Sequence, residues 1–336
     1  MTGSRPLGPL TRRELFTLPR RQGGKDSGHW VRVHRQAMAC RFEIALAEED
    51  AAHVAAARRA LDEADRIEDA LSVFRESSEV MRVNQEGAVG PVAISEILFS
   101  LLRRCHELHA DVEGAFDPTS TPLSRAWGFL GRAGRLPGAE DIAAALSLVG
   151  LDKVELNPEG RTVRFRRSGM ALNFGGIGKG YALDRMAGLL RGQGVPSALL
   201  SAGGSSVLAL GGGPGFRVDV RSPVTGAVIA HLRMEEAALG TSGAGEQYFE
   251  AGGRRYGHVL DPRTGWPVAG VLSASAAAPS AADADALSTA FLVGGPGLAE
   301  RYCAAHPGTL AVLVLEAEPA RPLFFGRCEG LHLEEA

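Results

Sequence analysis

Between residues 175 and 257 glycine comes in clusters, at 175–180, 203–204, 211–215, 240–245 and 252–257, in a chain that carries 43 glycines in all. Glycine tolerates positive φ and lets a backbone come close to something else. After about residue 192, a chain punctuated this often reads as short strands joined by tight turns.

Helical and strand periods frame this stretch. Residues 31–46 alternate loosely and predict a strand or hairpin. Residues 49–71 predict a helix, with Val54, Leu61, Ala64 and Ile67 near helical spacing. The acidic start Glu48-Glu49-Asp50 suits the positive end of that helix. A second helix is predicted over 94–112 and is stopped by the turn Gly114-Ala115-Phe116-Asp117-Pro118. A short helix near 139–148 leads to a hairpin at 152–167, turned by Asn157-Pro158-Glu159-Gly160. Met170–Phe174 reads as a strand entering the glycine loop 175–180, and a helix follows over 181–192. Helices at 282–293 and 297–305 and a strand at 309–315 complete the pattern. No linker divides residues 29–336, so one catalytic unit of the mixed α/β (α+β) class is expected, with a mixed sheet flanked by helices.

Residues 1–28 are rich in Arg, Gly and Pro and read as a mobile leader. Arg12-Arg13-Glu14-Leu15-Phe16 is faintly like a twin-arginine export signal, but no apolar stretch follows it. A cytoplasmic protein is therefore expected. There is no run of 18 apolar residues, and hence no membrane span. A net charge of −3 gives no strong drive toward nucleic acid or anionic lipid. Cys40, Cys105, Cys303 and Cys328 form no CxxC pair, which argues against zinc or a disulfide framework and for buried free thiols in a reducing compartment.

Three places carry candidate chemistry. The loop Gly175-Gly176-Ile177-Gly178-Lys179-Gly180 opens a helix, and helix N-termini attract phosphate through unsatisfied amides. It fits neither GxxxxGK[ST] nor GxGxxG. A phosphate cradle assisted by Lys179 and a tight structural turn are both open. Asp285 and Thr289 stand four apart and share a helix face. Their oxygens suit Mg²⁺, which keeps waters and takes few protein ligands. The competing reading has Asp283 or Asp285 capping the helix while Thr289 bonds back to a carbonyl. His258, beside the turn Asp261-Pro262-Arg263-Thr264-Gly265, is placed to face a cleft. His106 and His109 lack a third ligand and read as solvated or packed.

The chain resembles the ApbE family, the FAD:protein FMN transferases. The resemblance rests on ordered segments: AMACRFEIAL (37–46), VFRESSEVMRVN (73–84), GAFDPTSTPLSRAWGF (114–129), LNFGGIGKGYALD (172–184) and LLSAGGSSVLALG (199–211). TSGAGEQYF (241–249), YGHVLDPRTGWP (256–267) and APSAADADALSTAFLVGG (278–295) follow. The resemblance implies a T-fold-like unit that splits the pyrophosphate of FAD, passes FMN to a Thr or Ser hydroxyl of a target protein and releases AMP. It implies Mg²⁺ held by Asp285, Thr289 and the Gly176 carbonyl. It also implies FAD contacts from Lys179, Asn173, Met38, Phe74 and Ala115-Phe116-Asp117, with backbone meeting the flavin at Val259. His258 matches the histidine that takes the acceptor's proton.

Three departures stand out. Ala39-Cys40 replaces a frequent Gly-Thr, Asn173 stands where Asp is common, and Ala244-Gly245 follows the TSG segment. The lipobox of periplasmic lipoprotein members is also missing, in line with the cytoplasmic expectation. The rival activities are hydrolysis of FAD to FMN and AMP, and FAD binding without turnover.

Overall fold

The computed structural model describes residues 16–17, 30–131, 134–211, 215–245 and 247–334. In chain order, β1 (Phe16–Thr17) precedes the hairpin β2 (Trp30–Ala37) and β3 (Cys40–Ala47). A 3-10 segment at Glu48–His53 leads into α1 (Val54–Leu71), α2 (Glu79–Glu86), β4 (Val92–Ala93) and α3 (Glu96–Asp111). Then come α4 (Thr121–Ala126), α5 (Ala139–Leu146), the hairpin β5 (Val154–Asn157) and β6 (Thr162–Phe165), and α6 (Gly178–Gly192). Strands β7 (Ala198–Ala202), β8 (Ser206–Leu210), β9 (Phe216–Arg221), β10 (Val228–Met234) and β11 (Ala237–Gly243) follow. The hairpin β12 (Tyr248–Ala251) and β13 (Arg254–Gly257), β14 (Val271–Ala278), α7 (Ala281–Ala305), β15 (Leu310–Leu315), β16 (Leu323–Gly326) and β17 (Leu331–Glu334) complete the series.

The centre is an eight-stranded sheet in the order β16-β15-β14-β11-β8-β7-β3-β2. Its inner strands are apolar on both faces because both faces are covered. Phe42, Ile44, Leu200, Leu208, Ala276 and Leu313 pack with α1, α3, α6 and α7. Their neighbours Ala45, Leu199, Val207, Ala277 and Val312 point the other way, onto Phe216, Val218, Leu232 and Met234 of a second sheet, β1-β9-β10-β17. Period-two alternation thus feeds two cores from one set of strands.

α7 lies unusually close to its neighbours. A Cβ on Gly180 would sit 1.9 Å from the Ala281 carbonyl oxygen, and one on Gly240 would sit 2.5 Å from the Ala284 oxygen. Only glycine permits backbone-to-backbone contact of α7 with α6 and with β11. The start of α7 is fixed from two sides. Its Ser280 hydroxyl accepts from Asp283 N, and the Asp184 carboxylate of α6 accepts from Ala281 N, Ala282 N and the Ser280 hydroxyl. Burial pushes the Asp184 carboxyl above its usual range, partly offset by these donors.

The fold class expected from the sequence stands, with corrections inside it. Every described pairing is antiparallel, so the sheets are not mixed in strand direction. Residues 170–174 form no strand: Leu172 exchanges both backbone bonds with the Asn84 side chain, and Asn173 N donates to the Pro118 carbonyl. The helix expected at 181 starts at Gly178. The two helices expected at 282–293 and 297–305 are both present, since α7 is broken at Gly295 (φ 69°), with Pro296 next. Neither Asp283 nor Asp285 caps that element. Ser280 does, while Asp283 forms a bidentate ion pair with Arg104.

Cys105, Cys303 and Cys328 are buried free thiols, the latter two pushed up to about 11 by burial, but Cys40 is only partly buried. The expected leader, residues 1–28, lies outside the described residues except for Phe16–Thr17, which pair with β9. Among the described residues no helix is long and apolar enough to cross a membrane.

The close docking of α7 gives a stability prediction. Gly180→Ala forces α6 and α7 apart and should cost about 2 kcal/mol or more, as overpacking of a rigid contact does. Urea unfolding followed by circular dichroism measures it. An unchanged midpoint would mean that the two helices can part at no cost.

Candidate functional site

The contact between α6 and α7 converges on Asp285, which is 3% exposed. A carboxylate this deep needs partners, and it has them on two elements. From α6, Gly180 N donates to Oδ2 at 3.2 Å, and Lys179 Nζ lies 3.5 Å from each oxygen. From β8, the Ser206 hydroxyl donates to Oδ1 at 3.1 Å. One helical turn on, Thr289 Oγ1 lies 3.0 Å from the Ser242 hydroxyl of β11 and 3.5 Å from the Asp285 carbonyl oxygen. Ser242 also bonds Ser288, so the strand holds that helical turn by two hydroxyl contacts.

Gly176 faces the same point: a Cβ there would lie 3.3 Å from Thr289 Oγ1 and 3.5 Å from the Phe116 ring. The loop that carries Gly176 is folded by Asn173, whose Oδ1 accepts from Gly175 N at 2.9 Å. Asp285, Thr289 and the Gly176 backbone therefore stand together. Among the described residues no group of three or more His, Cys, Asp or Glu is gathered to hold a metal. A cation at Asp285 would draw on one carboxylate, a hydroxyl, carbonyl oxygen and water, a donor set that fits a small hard ion and not a soft one.

Beside this cluster lies an apolar wall. Phe116 and Ala115 are buried, and the Met38 methyl would be 3.0 Å from a Cβ on Gly178, with Leu71 and Phe174 next to it. The 115–117 turn is braced by His109, whose Nδ1 is 3.0 Å from the Phe116 carbonyl oxygen and 3.5 Å from Asp117. Asp117 accepts from the Thr119 amide and hydroxyl, and burial raises its carboxyl above the usual range. His109 is thus a packed bracing residue, in keeping with the sequence reading, and burial lowers His106. Met38 occupies, with Ala39, the two-residue loop between β2 and β3, and both have positive φ (51° and 56°). Two non-glycine residues in left-handed conformation are strained. Phe74 lies on the loop after α1 and is 83% exposed.

His258 follows β13. Its backbone N–H donates to the Gln247 carbonyl at 2.9 Å, and its Nδ1 lies 3.2 Å from the same oxygen. Its ring meets Phe129 edge-on. The segment after it is anchored by Trp127, whose indole N–H donates to the Gly265 carbonyl at 2.8 Å within the cluster of Trp127, Phe249, Tyr256 and Trp266. The Val259 carbonyl accepts from Val268 N. This corner joins the Asp285 cluster through β11, because Ala244, two residues beyond Ser242, packs its carbonyl 2.9 Å from a Cβ on Gly257.

The family model described as the ApbE family matches residues 38–314. The chain belongs to the ApbE family. It is similar to the FAD:protein FMN transferase of Klebsiella pneumoniae (strain 342), 35% identical over 245 residues, covering 71% of this chain and 75% of that relative. The fold is similar to the crystal structure of the ApbE protein from Thermotoga maritima, with a TM-score of 0.79 at 29% identity over 90% of this chain and 97% of that one. It is also similar to the apo form of the Pseudomonas stutzeri flavinyl transferase ApbE, with a TM-score of 0.77 at 29% identity over 88% and 94% of the two chains.

Within this ApbE chain, sequence reasoning missed Ser206 and Ser242. Each is one serine among several on apolar strands, and no periodicity distinguishes it. What singles them out is the tertiary contact with Asp285 and Thr289. The strained turn at Met38 and Ala39 yields a prediction. Ala39→Gly should stabilise the protein by about 0.5–1 kcal/mol, the relief of a left-handed Cβ less the entropy of a freer unfolded chain. Chemical denaturation checks it, and a destabilised variant would show that the turn carries no strain.

Proposed function

We propose that this chain transfers the FMN moiety of FAD to a threonine or serine hydroxyl of a target protein and releases AMP. The observation that carries the reading is the buried Asp285 carboxylate, set between the amide end of α6 and the Thr289 hydroxyl and faced by Lys179. The names of the relatives supply the substrate, and the site supplies the chemistry.

Asp285, Thr289 and the Gly176 carbonyl would hold Mg²⁺. That ion would supply positive charge against the diphosphate oxygens. The first amides of α6 and the Lys179 ammonium face the same region and favour negative charge there. Met38, Phe116 and Ala115 offer an apolar wall to the flavin ring. His258 supplies the base. With Nδ1–H donated to the Gln247 carbonyl, Nε2 carries the lone pair that accepts a proton. The acceptor oxygen forms a bond to the phosphorus of the FMN half as the bond to the AMP half breaks. The hydroxyl proton passes to His258, and AMP leaves with the bridging oxygen. A threonine hydroxyl is a poor nucleophile at neutral pH, so this proton transfer matters to the rate.

Two measurements test the reading with FAD, Mg²⁺ and a protein carrying an acceptor threonine. Asp285→Asn, with folding verified by circular dichroism, should lose the mass gain on the acceptor and the release of AMP, and EDTA should abolish both in the wild type. Transfer that survives either treatment removes the metal from the mechanism. His258→Ala should lower the transfer rate by about 10²–10⁴-fold while keeping most of the FAD affinity. Parallel loss of affinity and rate would make His258 a binding residue.

A further inference from the structure

Lys179 is placed where a simple phosphate contact would not need to be. Its ammonium lies 3.5 Å from both oxygens of Asp285 and 3.5 Å from the Gly175 carbonyl, with the lysine side chain 12% and the carboxylate 4% exposed. The carboxylate it faces is the single anionic group of the proposed magnesium set. A divalent cation bound to Asp285 would meet an ammonium almost at contact, and in a poorly hydrated site that repulsion is large. The charges are informative. Asp285 and Lys179 together are neutral, a divalent cation alone brings the pair to +2, and a diphosphate carrying two negative charges returns it to zero. Burying an uncompensated charge is costly, so the neutral combinations are favoured.

We propose that Lys179 makes cation and diphosphate binding mutually dependent. The inference rests on the magnesium reading above. Lys179 is the second residue of α6, so its stem starts at the helix end whose amides attract phosphate. A four-carbon chain with a rotatable ammonium can turn from Asp285 to a phosphate oxygen without moving the backbone. When a diphosphate is present the ammonium pairs with it and releases Asp285 to the cation. When none is present the ammonium competes with the cation for the carboxylate. By linkage, the cation must strengthen diphosphate binding by the factor by which the diphosphate strengthens cation binding. The enzyme then holds Mg²⁺ loosely until FAD arrives.

The test uses the full-length protein and two binding measurements: calorimetric titration with Mg²⁺ alone, and FAD affinity from flavin fluorescence with EDTA or with Mg²⁺, read on mixing without acceptor protein. Lys179→Met should bind Mg²⁺ alone about tenfold more tightly than the wild type, within the usual range of coupling between sites. In the same variant, the factor by which Mg²⁺ strengthens FAD binding should shrink. Lys179→Arg keeps the charge and should keep the weak Mg²⁺ binding of the wild type. Circular dichroism confirms that each variant is folded. If Lys179→Met binds Mg²⁺ no more tightly than the wild type, or retains the full strengthening of FAD, the inference is overturned. Asp285→Asn separates this failure from failure of the underlying reading. If Asp285→Asn loses Mg²⁺ binding, the metal assignment stands whatever Lys179 does. If it binds Mg²⁺ as the wild type does, the assignment falls and this inference with it.

Discussion

The contact on which the site depends is the approach of the α7 backbone to Gly180 and Gly240. Side-chain packing normally keeps helix axes 8–10 Å apart. Here carbonyl groups of α7 occupy space that a Cβ on either glycine would fill. The consequence is chemical as well as structural. Because α6 comes so close, the Gly180 amide reaches Asp285 directly. Because β11 comes so close, Ser242 reaches Ser288 and Thr289 on the next turn. A single alanine at either position would move Asp285 away from partners that must lie within hydrogen-bond range of it.

Asp285 itself carries the cost of this arrangement. Burial of a carboxylate is tolerated only when donors replace the lost water, and two elements contribute them, α6 through Gly180 and Lys179 and β8 through Ser206, while β11 steadies the neighbouring turn. A stability-driven core would put an apolar residue there. The retained charge is therefore better explained by what it can bind than by what it adds to the fold.

Much of this was legible in the sequence because it is local. The helical spacing of α1 and α3, the Asn157–Gly160 turn between β5 and β6, and the Asp285 and Thr289 pair on one face are all written in short-range pattern. The parts that were not legible depend on distant partners. Residues 170–174 have the composition of a strand, but Asn84 and the Pro118 carbonyl take their hydrogen bonds before any strand can. The second sheet could not be inferred, since the alternation of β9 and β10 says that one face is buried without saying against what. Ser206 and Ser242 became recognisable only through the carboxylate and hydroxyl they touch. The glycines were visible as clusters, yet their shared reason, room for α7, required the packing.

The two ends of the site are held by different physics, and this difference bears on how they act. The Asp285 end is clamped by backbone contact and charge-assisted hydrogen bonds between elements of the main core. The His258 end rests on a separate aromatic cluster, with Trp127 tying the 256–267 segment by one indole hydrogen bond. The contact of the Ala244 carbonyl, two residues beyond Ser242, with Gly257 joins the two. A rigid end suits the metal and diphosphate proposed for it, whose geometry is fixed. An end set in an aromatic cluster apart from the main core suits the proposed acceptor, a protein hydroxyl brought to the histidine from outside. Altering Ala244 and Gly245, which leaves Ser242 on Ser288 and Thr289, should thus change how well the two ends are aligned without changing what either end binds.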